Sequence, residues 1–179
     1  MPDAYGPGYT LTARVLHWVT AVLVVTMIVI GVAITNFDLG AAGDFFFSLH
    51  KSTGVVIWPL VAYRLIYRLS HPPPPLPADI PAMQRFAAQT VHWAFYVLLL
   101  VQPIVGYIAT SAYPAPIPFF WLFELPQLWP ADQAFSERVF VVHRIIGITL
   151  ALLLGAHVGG ALYHHFVRKD QVLMRMIRA

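Results

Sequence analysis

Four long apolar runs divide the chain, at residues 15–36, 49–69, 88–109 and 139–166. A helix needs about 20 predominantly apolar residues to cross the hydrocarbon core of a bilayer, and each run is long enough. The last could tilt or project beyond the membrane. The connections differ in character. Residues 37–48 are short and carry Asp38, Asp44 and two glycines. Residues 70–87 open with SHPPPPLPAD, a proline run that cannot continue a helix and predicts an extended polyproline segment. Residues 110–138 hold five prolines with Phe119, Phe120, Trp121, Phe123 and Trp129. That mixture suits a loop in the headgroup zone, where aromatic rings collect. The pattern predicts an all-α integral membrane four-helix bundle forming a single domain over residues 1–179.

Composition agrees. Of 179 residues, 59% are hydrophobic and 11% charged, where a soluble domain carries roughly a quarter charged residues. The absence of cysteine excludes disulfides, iron–sulfur clusters, thiolate zinc sites and a cysteine nucleophile. The first basic residue, Arg14, opens a long apolar run with no small-residue cleavage site after it, so a secretory signal is not expected. The net charge of +3 is modest, and no nucleic-acid partner is expected.

The placement of charge predicts orientation. With the N-terminus inside, the inner face holds Arg14, Arg64, Arg68, Arg85, Arg168, Lys169, Arg175 and Arg178, against Asp3, Asp79 and Asp170. The outer face holds only Lys51, Arg138 and Arg144 among basic residues. This positive-inside bias predicts that both termini are cytoplasmic, in a bacterial inner membrane.

Topology gives each histidine a depth. His17 and His92 fall near the inner ends of the first and third spans, and His50 near the outer end of the second. On the fourth span His143 is near the outer end and His157 lies 14 residues further in. That spacing is nearly four whole turns, so both rings share one face about 21 Å apart along the axis. His50 and His143 thus share the outer level, and His17 and His157 the inner. Two facing imidazoles are the ligand set of a b-type haem in a bundle core, which predicts two haems b. His92, also at the inner level, could replace His17 or serve a quinone. A lone interfacial histidine is often only an amphipathic residue. Four at matched depths are harder to explain that way, because polar rings inside a bilayer are costly.

Small residues fit a planar macrocycle beside these rings. Gly54 and Gly147 follow His50 and His143 by four residues, giving HKSTG and HRIIG, and Gly31 lies 14 residues after His17. Propionates need cationic partners: Lys51 and Arg144 at the outer level, and Arg64, 14 residues after His50, at the inner. His164 and His165 end the last span, where interface roles compete with quinone or proton contacts.

The chain resembles the prokaryotic cytochrome b561 family along essentially its whole length. The matching segments are Arg14-Val-Leu-His17-Trp18, HKSTG, Tyr63-Arg64-Leu-Ile-Tyr-Arg68 before the prolines, and Val91-His92-Trp93. His143-Arg-Ile-Ile-Gly147, Ala156-His157, Leu162-Tyr163-His164-His165-Phe166 and Lys169-Asp170-Gln-Val-Leu-Met complete them. The resemblance implies two haems b, held by His17 with His157 and by His50 with His143. For the stand-alone members it implies oxidation of superoxide at the outer face and reduction of ubiquinone; the charges of Lys51 and Arg144, beside the outer histidines, suit attraction of that anion. The same layout serves haem-b anchor subunits of dehydrogenase and hydrogenase complexes, the alternative function. Oligomeric state is left open.

Overall fold

A computed structural model describes residues 8–178, so that Asp3 and Ala179 lie outside the described residues. Helix α1 (Leu11–Asn36) starts before its apolar run because Thr10 caps it, accepting the Ala13 N–H at 3.2 Å. Helix α2 spans Ala42–Ser70. Residues 42–48, expected in the connection, are therefore helical; Asp44 in the first turn suits the positive end of the helix dipole. Helix α3 (Ala82–Ala112) begins directly after Pro81, where a missing N–H leaves nothing unsatisfied. Helix α4 (Gln133–Leu162) is capped by Asp132, which accepts the Phe135 N–H at 2.9 Å. It runs on into a π-helical turn, Tyr163–Arg168, and a short helix α5 (Met174–Ile177) follows.

The 110–138 connection is not purely irregular. Strands β1 (Ile117–Phe119) and β2 (Phe123–Leu125) form an antiparallel hairpin with Phe119 opposite Phe123. Phe120 and Trp121 at its tip have φ of 46° and 60°, the left-handed region that bulky residues rarely adopt. Contacts with α2 hold them there. The Ser52 hydroxyl accepts the Phe120 N–H at 2.8 Å and lies 2.9 Å from the Pro118 carbonyl. Lys51 donates to the Pro116 carbonyl at 2.8 Å, and Trp121 stacks on Phe45 at 4.9 Å.

Consecutive helices are neighbours: α1 packs on α2, α2 on α3 and α3 on α4. Val24, Ile57, Val61, Tyr96, Leu99 and Leu150, drawn from all four, form the buried centre. Large apolar side chains also cover the outside of the helices: Val22 is 63% exposed and Leu152 71%. A water-soluble bundle would bury such side chains; a bilayer solvates them. All four long helices are apolar and long enough to cross one. The described ends of the chain meet at one end of the bundle, where the Tyr9 N–H donates to the Arg175 carbonyl at 3.2 Å and Trp18 to Met176.

Candidate functional site

At the end of the bundle beneath the hairpin, His50 from α2 faces His143 from α4 with ring centroids 6.2 Å apart and planes at 73°. At the opposite end His17 from α1 faces His157 from α4 at 6.1 Å and 59°. A metal bound by two imidazole nitrogens at about 2 Å each holds the ring centroids roughly 6 Å apart. Both pairs are therefore spaced to take one metal atom between them. No group of three or more His, Asp or Glu side chains suited to a bare ion occurs among the described residues. Two-imidazole ligation instead suits a metal whose remaining positions are filled by a macrocycle, as in a haem.

The His50–His143 end is shaped around its rings. A Cβ at Gly31 would stand 3.3 Å from the His50 Cε1, and one at Gly106 would stand 2.8 Å from the His143 Cε1 and 3.0 Å from its Nδ1. The Nδ1 atoms of both histidines are buried without a hydrogen-bond partner. Buried polar atoms are rarely left so, and here they belong to the two rings that face each other. Gln102 donates to the His143 carbonyl at 2.9 Å, fixing the backbone of that turn. These observations fit a haem held between His50 and His143.

The opposite end is more crowded. His92 from α3 also reaches the His157 ring, with centroids 5.3 Å apart. Arg64 Nη2 lies 2.8 Å from the His17 Nδ1. An arginine can only donate, so His17 Nδ1 accepts and the ring proton sits on Nε2. For His17 to bind iron through Nε2, Arg64 must release Nδ1. The ring spacing of His17 and His157 fits a haem; the Arg64 bond competes with it. Arg64 and Arg68 also lie over Tyr96 at 5.6 and 5.8 Å, and Arg68 over Trp93 at 6.0 Å.

The remaining residues singled out in the sequence take varied places. A Cβ at Gly54 would meet Met27, and one at Gly147 would meet Gln102 at 3.4 Å. Lys51 spends one N–H on Pro116 and stands 4.8 Å from the centre of the Phe47 ring. Arg144 is exposed on α4. His164 is on the π-helical turn, its Nδ1 2.6 Å from Asp170. Sequence reasoning missed Gly106, Gln102 and Asp170. Gly106 was within reach, since it follows His92 by the same 14 residues that separate His17 from Gly31.

The comparisons agree with this geometry. The family model described as prokaryotic cytochrome b561 matches residues 8–179. Cytochrome b561 homolog 2 of Escherichia coli is 32% identical over 98% of this chain and 92% of its own length. Cytochrome b561 homolog 1 of the same organism is 28% identical over 94% of this chain and 96% of its own. The probable superoxide oxidase CybB of Yersinia pestis is 26% identical over 90% of this chain and 91% of its own. Four membrane-crossing helices with histidines paired between them, and a family match over nearly the whole length, place this chain in the prokaryotic cytochrome b561 family of multi-pass membrane haem b proteins of electron transfer.

Proposed function

We propose that the protein binds two haems b and carries electrons across the bacterial inner membrane, from superoxide at the outer face to ubiquinone. The two facing imidazole pairs carry this reading. They are separated by 14 residues of α4, about 21 Å of helix. His50 and His143 hold the outer haem, with Gly31 and Gly106 leaving room for the rings. His17 and His157 hold the inner haem once Arg64 has moved from the His17 Nδ1 to a propionate, a partner its fork matches better. When bound, each haem supplies a one-electron carrier that needs no protonation of its own ligands.

Superoxide as the donor is supported by the probable superoxide oxidase among the relatives and by local charge. Lys51 and Arg144 each follow an outer histidine in sequence. Lys51 keeps two N–H groups beyond the one given to Pro116, and Arg144 is exposed. Both attract a small anion to a face that otherwise carries Arg138 against Asp38, Asp44, Glu124, Asp132 and Glu137. The positive-inside asymmetry of the sequence supports a periplasmic position for this face and a cytoplasmic one for both termini.

The test is to give the purified protein superoxide and a ubiquinone analogue and record quinol formation over a range of salt. The expected rate falls as the Debye length shrinks towards about 8 Å at physiological ionic strength. A salt-independent rate would remove steering by Lys51 and Arg144. No turnover with superoxide, with ready haem reduction by a subunit that co-purifies in fixed proportion, would make the chain an anchor subunit instead.

A further inference from the structure

The π-helical turn that ends α4 carries a histidine and a carboxylate which the haem sites do not use. His164 follows His157 by seven residues, about 10 Å of helix rise, on nearly the same face. Its Nδ1 lies 2.6 Å from Asp170 Oδ2, and both side chains are largely buried, at 16% and 12% exposure. The backbone is shaped for this contact. Lys169 takes a left-handed φ of 56°, and the Lys169 and Asp170 N–H groups both donate to the His164 carbonyl, folding the carboxylate back over the ring.

We propose that His164, held by Asp170, delivers protons to the bound quinone, with Arg168 and the exposed Asp79 anchoring the pair. This rests on the quinone-reducing function proposed above and adds to it how the product oxygens acquire protons. Capping the turn needs only one carboxylate oxygen, Asp170 Oδ1, which accepts the Val172 N–H at 3.0 Å. The second oxygen is committed to the ring and shared with Arg168 Nε at 3.2 Å. Arg168 then bonds Asp79 at 2.7 Å, and the Asp79 carboxylate is 71% exposed. A buried His–Asp pair coupled through an arginine to an exposed carboxylate has a wet end and a dry end. π-helical turns of this kind occur often at functional sites.

The charged and titratable groups in contact with the pair are Arg168, Tyr163, whose ring is 5.9 Å from that of His164, and Asp79 through Arg168. Burial alone would push the Asp170 carboxyl up, but bonds from His164, the Val172 N–H and Arg168 outweigh it and hold the group ionised. An ionised Asp170 accepts from the His164 ring and so fixes a proton on Nδ1, leaving Nε2 as the working nitrogen. In the overall reaction two superoxide ions lose one electron each and leave as two dioxygen molecules. The quinone gains those two electrons and two protons, forming two O–H bonds. The imidazolium gives its Nε2 proton to a quinone oxygen and ends as the Nδ1–H tautomer. A proton taken up from water at Nε2 restores the imidazolium for the second transfer.

Asp170→Asn separates this role from a structural one. The asparagine oxygen can still cap Val172, while its NH₂ faces the ring and forces the His164 proton onto Nε2, the wrong tautomer for transfer. The haems of the full-length protein are chemically reduced, mixed with a ubiquinone analogue, and their reoxidation is followed from pH 5 to 9. D170N should contain the wild-type amount of haem and accept electrons normally. It should reoxidise about 100-fold more slowly at pH 7, with the loss in kcat rather than KM, and with its alkaline limb, where the proton donor is lost, moved to lower pH. Asp170→Glu, which keeps the charge, should recover most of the rate and the wild-type pH profile. Should D170N lose haem, the glutamate variant's profile carries the test alone. A D170N rate and profile equal to wild type overturns the proposal, as does a defect confined to KM. Wild-type haems that quinone fails to reoxidise at any pH overturn the quinone-reducing function itself, and this role with it.

Discussion

Gly106 on α3 stands against the ring of His143 on α4 so closely that a Cβ there would lie 2.8 Å from Cε1 and 3.0 Å from Nδ1. Real Cβ atoms do not approach a ring so closely, so one of the two must move. The ring belongs to a facing pair, and under the ligation proposed above its displacement would misalign a metal ligand. Gly106→Ala should therefore leave about one haem per protein, the one at the opposite end of the bundle. Gly31→Ala, with 3.3 Å to His50, should weaken the same haem without losing it. Pyridine haemochrome assay against protein mass reads both. Full haem content in G106A would show that the close approach is absorbed elsewhere.

Ser52 tests how the hairpin is held. Its hydroxyl partners the Phe120 N–H, at one of two left-handed positions of the tip. Ser52→Ala leaves that N–H unpaired at about 1–2 kcal/mol, or roughly tenfold faster local opening. Hydrogen exchange across residues 117–125 should accelerate by about that factor, with the helices unchanged. Unaltered exchange would mean that Lys51 and the Trp121–Phe45 stack hold the hairpin without it.

The turn after α4 should be acid-sensitive. The Asp170 carboxyl is held below its ordinary value. A depressed folded value stabilises the native turn above the unfolded value near 4, and the contribution disappears as pH falls through the folded value. Protection of the Val172 amide, which donates to Asp170 Oδ1, should be constant near pH 6. It should decline below about pH 4 once intrinsic exchange is corrected for. Asp170→Asn should abolish that acid dependence. Protection that is flat down to pH 3 in the wild type would rule out this linkage.

The spans were legible because bilayer solvation demands long apolar runs, and hydropathy reads those directly. Their ends were not. Thr10, Pro81 and Asp132 set them through local hydrogen bonding and backbone geometry, to which hydropathy is blind. The hairpin was hidden by Pro116 and Pro118, which argue against a strand except at a sheet edge, and a two-stranded ribbon consists only of edges. The histidine levels could be read from a spacing of 14. The glycines nearest the rings could not be read from proximity in sequence. Gly54 and Gly147, one turn from their histidines, meet Met27 and Gln102, whereas Gly31 and Gly106 approach His50 and His143 from neighbouring helices. Asp170 was missed because its partner is reached by a left-handed turn that no periodicity announces.

The inner ligand pair is the sharpest open choice, because His17 and His92 both reach His157, at 6.1 and 5.3 Å. Spacing favours His17, since its separation from His157 nearly matches that of the outer pair at 6.2 Å. The Arg64 bond to the His17 Nδ1 opposes it, because it leaves the proton on Nε2. A haem propionate beside Arg64 would resolve the conflict by drawing the guanidinium away. On that account His17→Ala should lose the inner haem and keep the outer. His92→Ala should keep two six-coordinate haems. Arg64→Leu should retain His17 ligation but weaken inner haem binding, about tenfold for a lost charge-assisted contact. Haem content and low-temperature absorption spectra of the three variants decide the matter. If His92→Ala loses the inner haem while His17→Ala retains it, the inner pair is His92 with His157. The arginine bond then marks His17 as a structural residue that Arg64 anchors to α2.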